Sequence, residues 1–190
     1  METPFGEITI AAELADSLTG QFPFQAETPA RFTPDNTIEL QLPFVKYFFP
    51  SARLLPIGVP PAGIALDIAR SLVQTAQETN LSLKIIGSTD LTHYGPNYGF
   101  APSGSGKKAV EWVRDENDKN AIDRMLAMDP EKLIADSLAS GNACCSGAAA
   151  AAITAAKALG AKRGRLAGYA SSYDKHPGES FVGYAGIIFY

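Results

Sequence analysis

Apolar positions along the chain change between strand and helix spacing several times, and the changes mark its elements. "EITI" alternates as a short β-like piece, and Ala11 to Leu18 then read as a helix ended by Gly20. "QFPFQAETPARFTP" holds three prolines and no clear period, which marks an excursion rather than an element. Asp35 or Asn36 can cap the next helix, where Ile38, Leu42 and Val45 fall near helical spacing and Pro43 is expected to kink or end it. "ARLLPIGV" reads as a buried strand closed by Pro60-Pro61. Ala62 to Thr79 follows as an amphipathic helix with Ile64, Ile68, Leu72 and Thr75 along one face.

"LSLKIIGS" reads as a further strand, and "GKKAVEWVRDENDKNAIDRMLAM" as a long, charged helical region. Asp129-Pro130 opens another helix with proline in its first turn. The alanine-rich run after "ACCSG" is expected to be helical up to Gly160. "GRLAGYASSY" and "SFVGYAGIIFY" close the chain as two strands joined by the turn-rich "DKHPGE". Strands alternating with helices predict an α/β fold, with a mainly parallel central sheet flanked by helices. No repeat or low-complexity linker marks a boundary, so residues 1–190 are expected to form a single domain.

Composition narrows the partners. A net charge of −4 leaves no basic footprint for nucleic acid or an anionic membrane surface. No apolar run approaches the roughly 18 residues of a membrane span, and the first residues do not read as a signal peptide, so a cytoplasmic location is expected. The two cysteines, Cys144 and Cys145, are adjacent, which is poor spacing for an ordinary structural disulfide.

Two stretches carry candidate chemistry. In "STDLTHYGPNYGF" the strand through Ile86 delivers Ser88, Asp90 and His93 to a strand end, where ligands gather in open α/β sheets. Asp90 and His93 are three residues apart, so one turn of chain brings carboxylate and imidazole to one side. The pair could ligate a metal, or Asp90 could fix the histidine tautomer for proton transfer, or both could serve a turn cap. In "GNACCSGAAAAA" a thiolate just ahead of a helix N-terminus is stabilised by the helix dipole. Cys144 or Cys145 is therefore a candidate nucleophile or soft metal ligand, against the plainer role of a small buried core residue. "SGSGKK" is not a phosphate-binding loop, because the first glycine of that motif is missing and Lys108 replaces its hydroxyl residue. His176, in "YDKHPGES", reads as a loop histidine.

Taken together, "STDLTHYG", "ACCSG" before an alanine-rich helix, "NTIELQLPF" and the ending "GYASSYD…VGYAGIIFY" resemble the Memo family, whose prokaryotic members are called AmmeMemoRadiSam system protein B. The resemblance runs from "TPFGEI" to the C-terminus. It implies a fold similar to class III extradiol ring-cleaving dioxygenases and a pocket of His, Asp and Cys side chains that binds copper or iron in animal members. Asp90 and His93 match the Asp and His of the first motif, and Cys144 matches the family cysteine, with Cys145 where the family usually has glycine.

The departures are informative too. Two further family histidines lie in stretches that would precede Met1, so the leading βα units of the fold are expected to be lacking and the chain to represent its C-terminal two-thirds. A third corresponds here to Asn36 in "NTIE". Leaving Glu39 aside, Asp90, His93 and Cys144 remain, a mixed set able to hold zinc, iron or copper with an open position.

Three activities follow as expectations. One is a redox or dioxygenase-like metal site, reduced by the missing imidazoles. A second is a non-catalytic module binding a small molecule or peptide, and the third is a metal-free thiol enzyme with Cys144 as nucleophile and His93 as base. Self-association, or a second polypeptide that supplies the leading units, is expected to cover the edge they leave. The family name suggests partners with AMMECR-type and radical S-adenosylmethionine domains.

Overall fold

Helices form where the sequence supplies both an apolar stripe and a stop, while the strands pair once across a short connection and once between segments far apart in the chain. The computed structural model describes residues 1–28, 30, 31 and 36–190. They divide into two compact units, residues 1–58 with 71–83 and residues 59–70 with 84–190.

In the first unit, α1 (Ala12–Thr19) buries Leu14 and Leu18 and stops at Gly20. Ahead of it Ile10 makes an isolated parallel bridge to Leu54, and Glu13 pairs with Arg53. Two short helices follow, α2 (Asn36–Glu39) and α3 (Leu42–Phe48). Pro43 lies in the first turn of α3 and so begins a helix instead of ending one, because its missing N–H has no intrahelical partner there anyway. Asp35, one of the two candidate caps, lies outside the described residues. Helix α4 (Gly63–Glu78), whose residues up to Arg70 belong to the second unit and the rest to the first, matches its expected span, with Ala65, Ile68, Leu72 and Ala76 buried.

The second unit carries the candidate site. The charged region is two helices, α5 (Lys107–Trp112) and α6 (Asp118–Leu126), joined by a π-helical turn over Val113–Asn117. That wider turn re-phases the helix, and Asn117 and Asp118 are both buried. Helix α7 (Pro130–Ser140) is capped by Asp129, whose carboxylate accepts from the Lys132 N–H at 3.2 Å. Helix α8 (Ser146–Ala158) packs Ala149, Ala150 and Ile153 into a core with Leu91, Met125 and Leu133. A second apolar cluster gathers Tyr94, Val110, Val113 and Phe181. None of the helices among the described residues is long and apolar enough to cross a membrane.

The sheet corrects the expectation of a mainly parallel arrangement. Its three strands are β1 (His93–Tyr94), β2 (Gly164–Ser171) and β3 (Phe181–Phe189), in the order β1-β3-β2. Both pairings are antiparallel, His93 opposite Val182 and Gly164 opposite Phe189. The two closing segments lie where they were expected, and their short connection dictates antiparallel pairing, since a parallel partner needs a long crossover. The segments expected to supply parallel strands, 52–59 and 81–88, have no ladder among the described residues, apart from the lone bridge at Leu54. Their hydrophobic patterns describe a chain that is half-buried, not one that has found a strand on either side.

Candidate metal centre

The backbone of residues 89–94 places the first candidate residues. Leu91 donates its N–H to the Gly183 carbonyl at 2.9 Å, and Gly183 returns a bond to the Thr92 carbonyl at 3.1 Å, which ties this segment to β3. Strand alternation then sorts the side chains. Thr92 and Tyr94 are fully buried, whereas His93 between them keeps 36% of its side-chain surface. Inside, Tyr94 stacks on Phe181 with ring centroids 5.2 Å apart. Its hydroxyl donates to the Gly104 carbonyl and accepts from the Ser103 N–H, both at 2.9 Å. The "SGSG" loop is thus latched to the core by Tyr94. At Gly95, with φ of 107°, a side chain would run into the Glu179 carbonyl, so the chain can turn there only with glycine.

Thr92 is anchored by a carboxylate that the sequence reading did not single out. Asp118, fully buried, accepts from the Thr92 N–H at 2.9 Å, from the Thr92 hydroxyl at 2.5 Å and from the Tyr169 hydroxyl at 2.7 Å. Asn117 adds an Nδ2–H bond to the Thr92 hydroxyl at 3.0 Å. Burial pushes the Asp118 carboxyl above the usual carboxylate range, and its three donors pull in the other direction. The Tyr169 phenol is pushed up by its own burial and by the Asp118 charge. In the sequence Asp118 is one acid among many in "DENDKN", and only the π-turn distinguishes it.

On the outer side, Asp90 Oδ2 lies 3.2 Å from His93 Nε2. The loop before α8 brings the thiol to the same place. The Cys144 N–H donates to the Asp90 carbonyl at 3.1 Å, and the Cys145 N–H to Thr89 Oγ1 at 2.9 Å. Thr89 Oγ1 also lies 3.8 Å from Cys144 Sγ. One ligand atom each of Asp90, His93 and Cys144 can be chosen so that all lie within 4.8 Å of one another. Donors around one ion at bond lengths near ~2.1 Å stand roughly 3.4 Å apart in a tetrahedron, so small side-chain shifts would close this set on a metal. Oxygen, nitrogen and sulfur donors together suit zinc, iron or copper better than magnesium or calcium.

Two tyrosines flank this group and were not foreseen. The Tyr98 ring lies 4.8 Å from the His93 ring, tilted by 44°. Partial burial, and then the charge of Asp90 and the Tyr98 phenol, push the Tyr184 hydroxyl upward. The repeated "Y" of "HYGPNYGF" was the available signal for Tyr98, while Tyr184 is placed only by the β1–β3 register. His176 is exposed in the β2–β3 connection and does not join the donor group.

A mixed α/β unit with a three-residue donor group at the end of a short antiparallel sheet defines the class, a protein with a candidate mononuclear metal centre. The sequence matches the Memo-like protein family model over residues 1–188, and the chain belongs to that family. It is 28% identical over 195 residues to a MEMO1 family protein of Thermococcus onnurineus, covering 98% of this chain and 67% of the relative. Against relatives from Methanopyrus kandleri and Methanococcoides burtonii the identity is 31%, over 98% of this chain and 63% and 66% of theirs. The chain therefore spans about two thirds of the length of these curated relatives.

Proposed function

We propose that this Memo-family chain binds one redox-active metal ion, iron or copper, through Asp90, His93 and Cys144, and that the site serves dioxygenase-like or related redox chemistry. The observation that carries the reading is the convergence of a carboxylate, an imidazole and a thiol within 4.8 Å at a half-exposed edge. Such an ion, when bound, would supply Lewis-acid and one-electron chemistry at an open coordination position. The chain's own residues do the rest. The backbone bond from Cys144 to the Asp90 carbonyl fixes the thiol against the carboxylate. The bonds of Leu91 and Gly183, with the Asp118 anchor under Thr92, hold His93 outward, and the Tyr98 ring limits its rotation. The 3.2 Å contact of Asp90 Oδ2 with His93 Nε2 holds carboxylate and imidazole side by side, so both can present donor atoms to one ion.

A ligand-binding module without a metal is the second reading, favoured by the exposed Tyr98 ring that lies 4.8 Å from the half-exposed imidazole. Plasma mass spectrometry separates the two, on protein purified without a metal-affinity tag and loaded with iron, copper or zinc. Near-stoichiometric metal in the wild type, lost in both His93→Ala and Cys144→Ala, supports the metal site. Metal-free, folded wild-type protein overturns it in favour of the binding module.

A further inference from the structure

Cys145 stands next to the proposed ligand, and its sulfur has no part in the donor group described above. Side chains of neighbouring residues in an extended chain point to opposite sides. Here the backbone is bent, with φ −119° and ψ 48° at Cys145, and the two sulfurs meet at 3.5 Å. Both peptide N–H groups of the pair are tethered, Cys144 to the Asp90 carbonyl and Cys145 to the Thr89 hydroxyl, so the dipeptide is held in this bend. Cys144 is exposed and Cys145 half-buried, which gives an oxidant access to the first sulfur and keeps the second as the resolving one.

We infer that Cys144 and Cys145 form a reversible dithiol–disulfide pair, oxidised by hydroperoxides, that withdraws the thiol ligand from the site. In the first step the Cys144 sulfur attacks the hydroperoxide oxygen. An S–O bond forms, the O–O bond breaks, and water or an alcohol leaves carrying the thiol proton. In the second the Cys145 sulfur attacks the resulting sulfenic sulfur, the S–S bond forms, and the hydroxyl departs as water with the second thiol proton. Two electrons pass from the sulfurs to the hydroperoxide. Adjacent Cα atoms stand about 3.8 Å apart, closer than the roughly 4.4–6.8 Å of ordinary disulfides, so the ring is strained and readily reopened by a dithiol reductant. The bridge leaves only Asp90 and His93 for a metal. This last consequence rests on the metal reading above, whereas the thiol chemistry does not.

The test treats the reduced chain of residues 1–190 with one equivalent of hydrogen peroxide and follows intact mass, alkylation by iodoacetamide and, for zinc-loaded protein, release of zinc to a colorimetric chelator. The expected result is loss of two hydrogen masses, protection of both cysteines from alkylation, and full reversal by dithiothreitol. Cys145→Ser, which places a favoured N-cap residue at the start of α8, should instead hold added oxygen on Cys144. Zinc should leave the wild type in step with disulfide formation. Wild-type protein that gains oxygen masses while Cys145 remains alkylatable, or that forms only intermolecular bridges, overturns the inference. Disulfide formation in a chain whose reduced form never held zinc upholds the thiol pair and overturns the metal reading instead.

Discussion

Asp118 grips Thr92 at two points, accepting from its N–H at 2.9 Å and its hydroxyl at 2.5 Å, on the residue immediately before the half-exposed His93. The π-turn after α5 exists at the place where this carboxylate must enter the core. Truncating it leaves the buried Thr92 N–H and the half-buried Tyr169 hydroxyl without their acceptor. Asp118→Ala should therefore destabilise the fold by ~2–4 kcal/mol. The check is a urea titration, in which the midpoint falls while the slope stays unchanged. A midpoint within error of wild type would mean that water replaces the carboxylate.

The acid response should divide between carboxylates of opposite sign. The Asp174 carboxyl is held below its usual range first by the Ser171 N–H and then by Arg114, and that of Asp129 by the Lys132 N–H. Their stabilisation is complete above the unfolded carboxylate value near ~3.9 and is lost as pH falls through their lower folded values. Asp118, pushed up by burial, acts in the opposite direction. It costs nothing below about 3.9 and destabilises progressively as pH rises toward its raised folded value. Denaturation midpoints of Asp174→Asn should thus fall less steeply below about pH 4 than wild type. Those of Asp118→Asn, though lower overall, should lose the decline above it. Parallel profiles for all three proteins would refute the assignment.

Tyr98 offers a test of how the imidazole is held. Its ring lies 4.8 Å from that of His93, and ring pairs of this kind contribute ~0.5–1.5 kcal/mol. If the pair pre-orients His93 for a metal, Tyr98→Ala should weaken zinc binding by about 2- to 12-fold in chelator competition. The urea midpoint should hardly move, because Tyr98 is itself exposed. Unchanged affinity would show that β1 alone orients the histidine.

Much of this architecture could be read from the sequence, and the parts that could not share a physical cause. Helices α1, α4, α7 and α8 announced themselves through local signals: Gly20, an apolar stripe, the Asp129-Pro130 cap, and the alanine run up to Gly160. Asp90 and His93 stand out by residue type and spacing, whereas Cys144 is preferred to Cys145 only through the family resemblance; the structure brings the donor atoms of all three within 4.8 Å, with one backbone bond joining Cys144 to Asp90. Strand pairing is non-local, so "ARLLPIGV" and "LSLKIIGS" displayed strand character without showing whether any strand lay beside them. Asp118 was concealed for the same reason. A carboxylate in a charged helix looks solvated until the π-turn rotates it onto Thr92, 26 positions upstream, and Tyr169, 51 positions downstream in β2. Tyr184 needed the register of β3 against β1.

Gly183 gives the most direct test of that hidden contact. Its Cα lies against the Asp118 carboxylate so closely that a Cβ would overlap Oδ2, and its backbone makes both bonds to the Leu91–Thr92 segment. Gly183→Ala should cost ~1–3 kcal/mol by overpacking, even though the strand conformation itself suits alanine. The collision and the loss of the carboxylate are not independent. In an Asp118→Ala background the added methyl meets a space that the carboxylate has left, so Gly183→Ala should cost markedly less there. A double-mutant cycle by urea denaturation should show coupling on the order of 1 kcal/mol or more, the double variant being more stable than the sum of the singles. Strict additivity would mean that β3 shifts to admit the methyl in either background, and that the glycine is required by the Leu91–Thr92 pairing and not by Asp118.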